Sequence, residues 1–219
     1  MKAKEDEFVS RLLKWHTYCK ADFPWRRTRD PYKILVSELL LRKTTRNQVS
    51  KIFNHFFAKF PTVEALASRP EQFIKEVITP LGMEHRRASA LKTLAQTIVG
   101  NHGGKIPSEK EELMELPNVG LYTANAVMCL AYDQNYPLLD TNVVRVITRV
   151  FSFNSSKKRP RDDPQIWNFV SLLLPLGKAR EFNLAILDIA GSICRPEKPD
   201  CPICPLLMIC DYGFRAWHP

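Results

Sequence analysis

Residues 116–151, LPNVGLYTANAVMCLAYDQNYPLLDTNVVRVITRVF, decide the fold of this chain. A turn with Pro and Gly, residues 116–120, separates the polar segment SEKEELME from the apolar segment YTANAVMCLA. A tight turn that enters a helix leaves backbone N–H groups free, and these can bind a phosphate oxygen without reading a base. Gly120 can adopt a positive φ or let a backbone approach closely, and asparagine, as at Asn118, tolerates the left-handed conformation well. The stretch therefore predicts two helices and a tight turn, which is either a plain αα-hairpin or a phosphate-binding site.

The rest of the chain is predicted to be helical as well. Apolar residues recur at helical spacing almost throughout, as in DEFVSRLLKWHTYCKA with Phe8, Leu12, Trp15 and Cys19, and alternating runs typical of strands are essentially missing. The 219 residues are enough for two lobes. No stretch reaches the roughly 18 apolar residues of a membrane span, and the first residues, MKAKEDEF, are too charged for a signal peptide. We therefore predict an all-α protein of the cytoplasm, associated with the nucleoid.

The charge of the chain is compatible with a nucleic-acid partner. The net charge is +9 and the pI is about 9.3. Such an excess of positive charge is typical of proteins that bind the phosphates of nucleic acids, but basic soluble proteins without such a partner share it. Charge alone leaves these two interpretations open.

Four cysteines within CRPEKPDCPICPLLMIC follow a C-x6-C-x2-C-x5-C pattern. They are Cys194, Cys201, Cys204 and Cys210. Disulfides would need an oxidising compartment, for which the sequence gives no sign, whereas four thiolates this close can surround one metal centre. Tetrahedral sulfur ligands suit both zinc and iron–sulfur, but zinc ribbons usually show two C-x2-C pairs and this chain has one. The spacing therefore favours an iron–sulfur cluster.

Taken together, the L-P-x-V-G-x-x-T-A hairpin, Asp140 about twenty residues later and the cysteine run resemble one family. This family is the helix-hairpin-helix (HhH-GPD) superfamily of base-excision DNA glycosylases, in the iron–sulfur branch of endonuclease III, adenine and thymine mismatch DNA glycosylases. The resemblance implies a two-lobed fold, with a six-helix barrel domain at 28–137 that contains the helix-hairpin-helix at about 113–130. Residues 1–27 plus 138–219 would form a domain whose four cysteines hold a [4Fe–4S] cluster. The implied partner is double-stranded DNA with a mismatch, bound by a monomer.

The resemblance also implies catalytic residues. Cleavage of an N-glycosidic bond builds positive charge on the sugar, and a carboxylate at about 4 Å stabilises it by on the order of 4 kcal/mol. Asp140 matches the catalytic aspartate of the family, although an aspartate there can also cap a helix. Tyr122 stands where endonuclease III has a lysine that forms a Schiff base, and a phenol cannot form an imine. Glu38 matches the acid that protonates the base in the adenine enzymes, with a solvated surface residue as the alternative.

Further positions bear on DNA binding and on the choice of base. Adenine enzymes carry paired glutamines where this chain has LRKTT (41–45), a segment that resembles the thymine mismatch enzymes and fills the gap left by the expelled base. Leu184, in the base pocket, stands where adenine enzymes have Glu or Gln. The DNA-contacting positions implied by the resemblance are Arg42, Lys43, Thr44, Asn118, Val119 and Gly120.

We therefore expect a monofunctional DNA glycosylase that removes thymine, and uracil as well, paired with guanine. One alternative is an adenine DNA glycosylase acting opposite 8-oxoguanine or guanine. An alternative of another class is a non-catalytic DNA-binding protein that recognises damage.

Overall fold

The computed structural model describes the backbone of residues 2–217 and the side chains of residues 2–214. Within this part the chain forms twelve α-helices and no β-strand, which confirms the all-α class. None of these helices is both long and apolar enough to cross a membrane. The helices are α1 (Lys2–Cys19), α2 (Pro31–Leu40), α3 (Arg46–Lys59), α4 (Val63–Ser68), α5 (Glu71–Ile78), α6 (Glu84–His102), α7 (Lys110–Glu115), α8 (Leu121–Leu130), α9 (Thr141–Phe151), α10 (Pro164–Leu173), α11 (Ala179–Ser192) and α12 (Asp211–Trp217).

The chain divides into two compact units. One unit is Asp22–Gln134, and the other combines Met1–Ala21 with Asn135–Pro219. Residues 22–27 join the central unit because Trp25 is buried there, with its ring stacked on Phe23 at 4.9 Å and 6.2 Å from Phe53 of α3. The unit boundaries thus lie a few residues before those expected from the sequence, 28 and 137, whose assignment to a barrel and a cluster domain stays a prediction.

In the central unit, α2 is the innermost helix. Asp30 caps its first turn by accepting hydrogen bonds from the backbone N–H groups of Tyr32 (2.9 Å) and Lys33 (3.3 Å). Eight of its ten residues are buried, and it packs against α3, α6 and α8. A helix that is buried on nearly every side lies inside a bundle. Side chains and turns at the end of α2 are therefore held by neighbours in several directions.

The other unit is centred on α11, which packs against α1 and α9. Asn183 of α11 is fully buried, and its side chain accepts from the backbone N–H of Leu138 at 2.9 Å and donates to the carbonyl of Tyr136 at 2.8 Å. A buried amide that is satisfied on both sides fixes the backbone it contacts. Asn183 thereby anchors the segment that leads directly into Asp140.

Candidate active site

The hairpin between α7 and α8 is shaped by an asparagine. Asn118 has φ of 63°, in the left-handed region, whereas Gly120 has φ of −109°. The left-handed position is therefore Asn118, and Gly120 does not need a positive φ. A Cβ added at Gly120 would meet no atom of the chain within 4 Å. Gly120 also offers no side-chain cap to α8, so the first N–H groups of that helix have no side-chain acceptor from it. Both observations suit a close approach of a phosphate group.

The LRKTT segment forms the turn between α2 and α3. Lys43 is exposed and has a left-handed backbone with φ of 52°. Arg42 reaches the hairpin, where its Nη2 donates to the carbonyl of Asn118 at 2.5 Å and to the Oγ1 of Thr123 at 3.1 Å. The structure thus brings together two of the segments that the sequence assigned to DNA contact. That they bind DNA stays a prediction.

Glu38 and Tyr122 also belong to the central unit. Glu38 lies in the last turn of α2 with 9% of its surface exposed, so it is not the solvated surface residue considered above. It acts electrostatically on Arg42: burial lowers the pKa of the Arg42 guanidinium, and the Glu38 carboxylate raises it. Tyr122 is the second residue of α8 and is half-buried. The first turn of α8 therefore presents a phenol at this position and no amine.

Asp140 precedes α9 and is fixed by three donors. Its Oδ1 accepts from the backbone N–H groups of Asn142 (2.8 Å) and Val143 (2.7 Å), and its Oδ2 accepts from the Asn142 side chain at 2.8 Å. Asn142 in turn accepts from Arg145 at 2.9 Å, and Arg145 donates to the carbonyl of Cys194 at 2.8 Å. Asp140 is therefore a helix cap, and the same contacts hold its carboxylate in one orientation. Sequence reasoning identified Asp140 but missed Asn142 and Arg145.

Leu184 lies on α11 with 9% of its surface exposed, next to the anchoring Asn183. Its side chain has no hydrogen-bonding group. Any base in contact with it would meet an apolar surface.

The four cysteines of the C-x6-C-x2-C-x5-C run line one small cavity of about 20 Å³. Arg149 and Tyr212 are the other polar side chains of its wall, and the remaining side chains there are apolar. Burial, and to a smaller extent the three neighbouring cysteines, raise the pKa of Cys204 to about 12, while the backbone N–H of Leu206 lowers it. Among the described residues, no three Cys, His, Asp or Glu side chains form a group that could hold a single metal ion.

Two N–H groups point at sulfur atoms of this cavity. The Nη1 of Arg149 donates to the Sγ of Cys194 at 3.4 Å, and the backbone N–H of Gly213 donates to the Sγ of Cys210 at 3.4 Å. A Cβ at Gly213 would lie 2.9 Å from the Cδ1 of Leu207 and 3.5 Å from the Cβ of Cys210, so a larger residue there would displace the end of the Leu207 side chain. Burial raises the pKa of the Cys210 thiol, and the backbone N–H groups of Gly213 and Tyr212 oppose that rise.

Comparison with known proteins agrees with this arrangement. A family model described as "HhH-GPD superfamily base excision DNA repair protein" matches residues 36–168, which include the α2–α3 turn, the hairpin and Asp140. The chain belongs to this family. The matched span ends before Cys194, so the family model itself does not cover the four cysteines.

Several members of the superfamily are similar to this chain over most of its length. Thymine-DNA glycosylase of Aeropyrum pernix is 44% identical over 214 residues, which cover 96% of each chain. Thymine/uracil-DNA glycosylase of Methanothermobacter thermautotrophicus is 40% identical over 209 residues, 95% of this chain and 94% of the relative. A solved structure of a thermostable thymine-DNA glycosylase superposes with a TM-score of 0.93 at 39% identity and covers 98% of both chains.

Adenine DNA glycosylases are more distant. The enzyme of Mycolicibacterium smegmatis is 33% identical over 196 residues, which span 89% of this chain and 66% of the relative. The expected resemblance to the HhH-GPD superfamily, on the side of the thymine enzymes, is thus confirmed.

Proposed function

We propose that this chain is a DNA glycosylase that removes thymine, and uracil, paired with guanine. The observation that carries the proposal is the identity of 40–44% over nearly the full length to relatives named for thymine and uracil. Leu184 supports the same choice. An adenine pocket must satisfy several hydrogen-bonding groups, and each one left unpaired costs roughly 1–3 kcal/mol. An apolar side chain instead suits the methyl group of thymine.

Expulsion of the base comes first, because C1′ is inaccessible inside the stack and unstacking costs a few kcal/mol, least at a mismatch. In our proposal the α2–α3 turn with Arg42, Lys43 and Thr44 fills the gap. The N–H groups of Asn118 and Gly120 hold a backbone phosphate, whereas that of Val119 already donates to the carbonyl of Leu116 at 3.1 Å. Both segments are adjacent through the hydrogen bond from Arg42 to Asn118, so one binding event engages both.

Bond cleavage then depends on two carboxyl groups. As the bond between C1′ and the base breaks, its electron pair leaves with the base and positive charge develops on the sugar. The fixed carboxylate of Asp140 stabilises this charge, and Glu38 donates a proton to the base or positions the attacking water. Water supplies hydroxide to C1′, and its remaining proton restores Glu38 where Glu38 has protonated the base, or otherwise goes to the departing base.

The absence of an amine at position 122 supports a monofunctional enzyme. A lyase step requires a nitrogen nucleophile that forms an imine with C1′, and Tyr122 cannot supply it. Water is therefore the final nucleophile in our proposal, and the DNA strand stays intact after the base is lost.

We further propose that the four cysteines hold a [4Fe–4S] cluster. The spacing supports this proposal, because zinc ribbons usually show two C-x2-C pairs and this chain has one. The four cysteines also line one apolar cavity, and N–H donors are aimed at two of their sulfurs. Cys194, Cys201, Cys204 and Cys210 would hold the cluster through their thiolates, and its binding energy would contribute to folding of the segment that contains them.

A panel of labelled duplexes tests the proposed function. The purified protein is incubated with T·G, U·G, A·G and A·8-oxoguanine duplexes, and abasic sites are then cleaved with alkali. We expect thymine and uracil opposite guanine to be removed at least tenfold faster than adenine. Preferential removal of adenine would establish the adenine alternative, and tight binding without any excision would establish the non-catalytic one.

A further inference from the structure

Arg87, on α6, is a buried cation with an unusual set of partners. Only 7% of its surface is exposed, and no carboxylate lies within ion-pair distance among the described residues. A buried charge without a counter-ion is unfavourable unless hydrogen bonds satisfy it completely. The hydrogen-bond acceptors of its guanidinium group therefore indicate why this cation is buried.

All five N–H groups of Arg87 have acceptors, which is the full capacity of a guanidinium. One acceptor belongs to the turn before α6, and four belong to the end of α2 and the turn after it. The acceptors are the carbonyls of Gly82 (3.0 Å), Leu39 (3.2 Å), Leu40 (2.9 Å) and Arg42 (2.6 Å) and the Oγ1 of Thr44.

These contacts hold a turn that the backbone alone would not favour. The last carbonyls of α2 lack the i+4 partners of a helix interior, the carbonyl of Leu39 accepting instead from the N–H of Arg42 at 3.4 Å, and a cation at a helix C-terminus interacts well with such carbonyls. Lys43, between the two residues that Arg87 binds, has the left-handed φ of 52°, which is strained for a residue with a side chain. Such a conformation persists only where its surroundings impose it. Here the imposing group is Arg87.

The turn is also held from a second side. Arg42 donates to Asn118 and Thr123, so α8 and its hairpin hold the side chain of Arg42. Arg87 holds the backbone carbonyl of the same residue. Thr45 then caps α3 in a reciprocal capping box with Gln48. Arg42, Thr44 and Thr45 are thus each tied to a neighbouring element, whereas the side chain of Lys43 is exposed.

We propose that Arg87 is a positioning residue for base expulsion, which it assists by keeping residues 41–45 in the shape that fills the gap left by the base. The inference rests on the proposed function of that turn. A preformed turn enters the DNA stack without first being ordered, whereas a mobile one loses conformational entropy on entry and stabilises the expelled state less. Lysine cannot replace arginine here, because one ammonium group cannot reach acceptors on both sides of the turn.

The test compares Arg87→Lys with Arg86→Lys, the same change at the exposed neighbour on α6. Single-turnover excision, normalised to the folded fraction, is measured on a T·G duplex and on a bubble in which the flanking pairs are also mismatched. Expulsion is already easy in the bubble. Hydrogen–deuterium exchange of residues 41–45 reports the order of the turn without any activity.

We expect Arg87→Lys to lower duplex excision at least tenfold and bubble excision less than threefold, with faster exchange in residues 41–45. Arg86→Lys should leave all three unchanged within threefold. Equal losses on both substrates, unchanged exchange, or a variant that does not fold at all would each overturn the proposal in favour of a purely structural role. If wild type removes adenine rather than thymine, the proposed function fails, and the same comparison with the adenine-containing duplex and bubble still decides the role of Arg87.

Discussion

Replacement of Asp140 by asparagine separates its two roles, as a helix cap and as a charged group. The new amide keeps the shape of the side chain, and its oxygen can accept the same two backbone N–H groups from Asn142 and Val143. Asparagine and aspartate are about equally good caps. Loss of the charge at the helix N-terminus costs about 0.3–1 kcal/mol. The variant should therefore fold and bind DNA.

The expected effect on excision is much larger. A carboxylate about 4 Å from a developing unit charge contributes on the order of 4 kcal/mol at an effective dielectric constant near 20. Each 1.36 kcal/mol corresponds to a factor of ten in rate, so this contribution amounts to roughly a thousandfold. Because Asn142 holds Oδ2 in place, the carboxylate cannot swing away to weaken that interaction. We expect excision to fall by about a hundred- to a thousandfold.

Single-turnover excision and fluorescence anisotropy with a labelled T·G duplex measure rate and binding separately. The matched control is Asp30→Asn, which makes the same change at the cap of α2. The control should excise within about threefold of wild type, and both variants should retain DNA binding. If Asp140→Asn excised within a few-fold of wild type, or if both variants lost activity equally, Asp140 would be a cap and nothing more.

Three further predictions concern the nucleophile, the cluster and the base. Borohydride should trap no adduct between wild-type enzyme and DNA, whereas Tyr122→Lys should introduce strand cleavage without alkali; efficient trapping by wild type would show that another amine acts as nucleophile. The purified protein should be brown, with a broad absorption band in the visible and four irons by metal analysis. Cys201→Ser or Cys204→Ser should destabilise the C-terminal segment in a thermal melt. A colourless protein with one zinc would contradict this prediction. Leu184→Gln should lower thymine excision more than uracil excision in the duplex panel, because a polar side chain suits the thymine methyl poorly, and an unchanged ratio would place Leu184 outside the base pocket.

The hairpin shows how much a local motif can predict. Asn and Gly within five residues indicate a tight turn, and Asn118 does take the left-handed conformation. The pattern cannot say which residue takes it, because both types tolerate it, and Gly120 has an ordinary negative φ. The remaining reason for a glycine at position 120 is that a side chain there would obstruct a binding partner. That reason depends on the partner and not on the conformation of the chain. A single sequence does not contain that information.

Helix α1 shows where spacing misleads. Phe8 and Leu12 are fully buried as the pattern predicts, but Trp15 is only half-buried and Cys19 is exposed. The buried stripe continues instead through His16, whose Nε2 lies 4.0 Å from an oxygen of Asp188 on α11. A search for apolar residues passes over a histidine at i+4. Its burial depends on a carboxylate far along the chain, which no local pattern reveals.

Arg87 illustrates the same difficulty at the functional site. In the sequence it is one of two adjacent arginines, and nothing local distinguishes it from Arg86. Its role is visible only where α6 packs against α2, since four of its five acceptors lie 43 to 48 positions earlier in the chain. The role of a buried arginine of this kind is recognised from its hydrogen-bond acceptors, which only the folded structure shows.

The position of Glu38 links base expulsion to the chemistry that follows. Glu38 comes immediately before Leu39 and Leu40, whose carbonyls Arg87 binds, so one guanidinium supports both the turn and the end of the helix that carries the acid. The turn and the end of α2 are nevertheless stabilised by different contacts. Helical hydrogen bonds, such as that from the N–H of Leu41 to the carbonyl of Ser37 at 2.9 Å, keep Glu38 in place without Arg87, whereas the strained turn has no such ladder. Loss of Arg87 should therefore disturb expulsion far more than proton transfer. Excision from the bubble measures any displacement of Glu38, and the difference between bubble and duplex measures the turn.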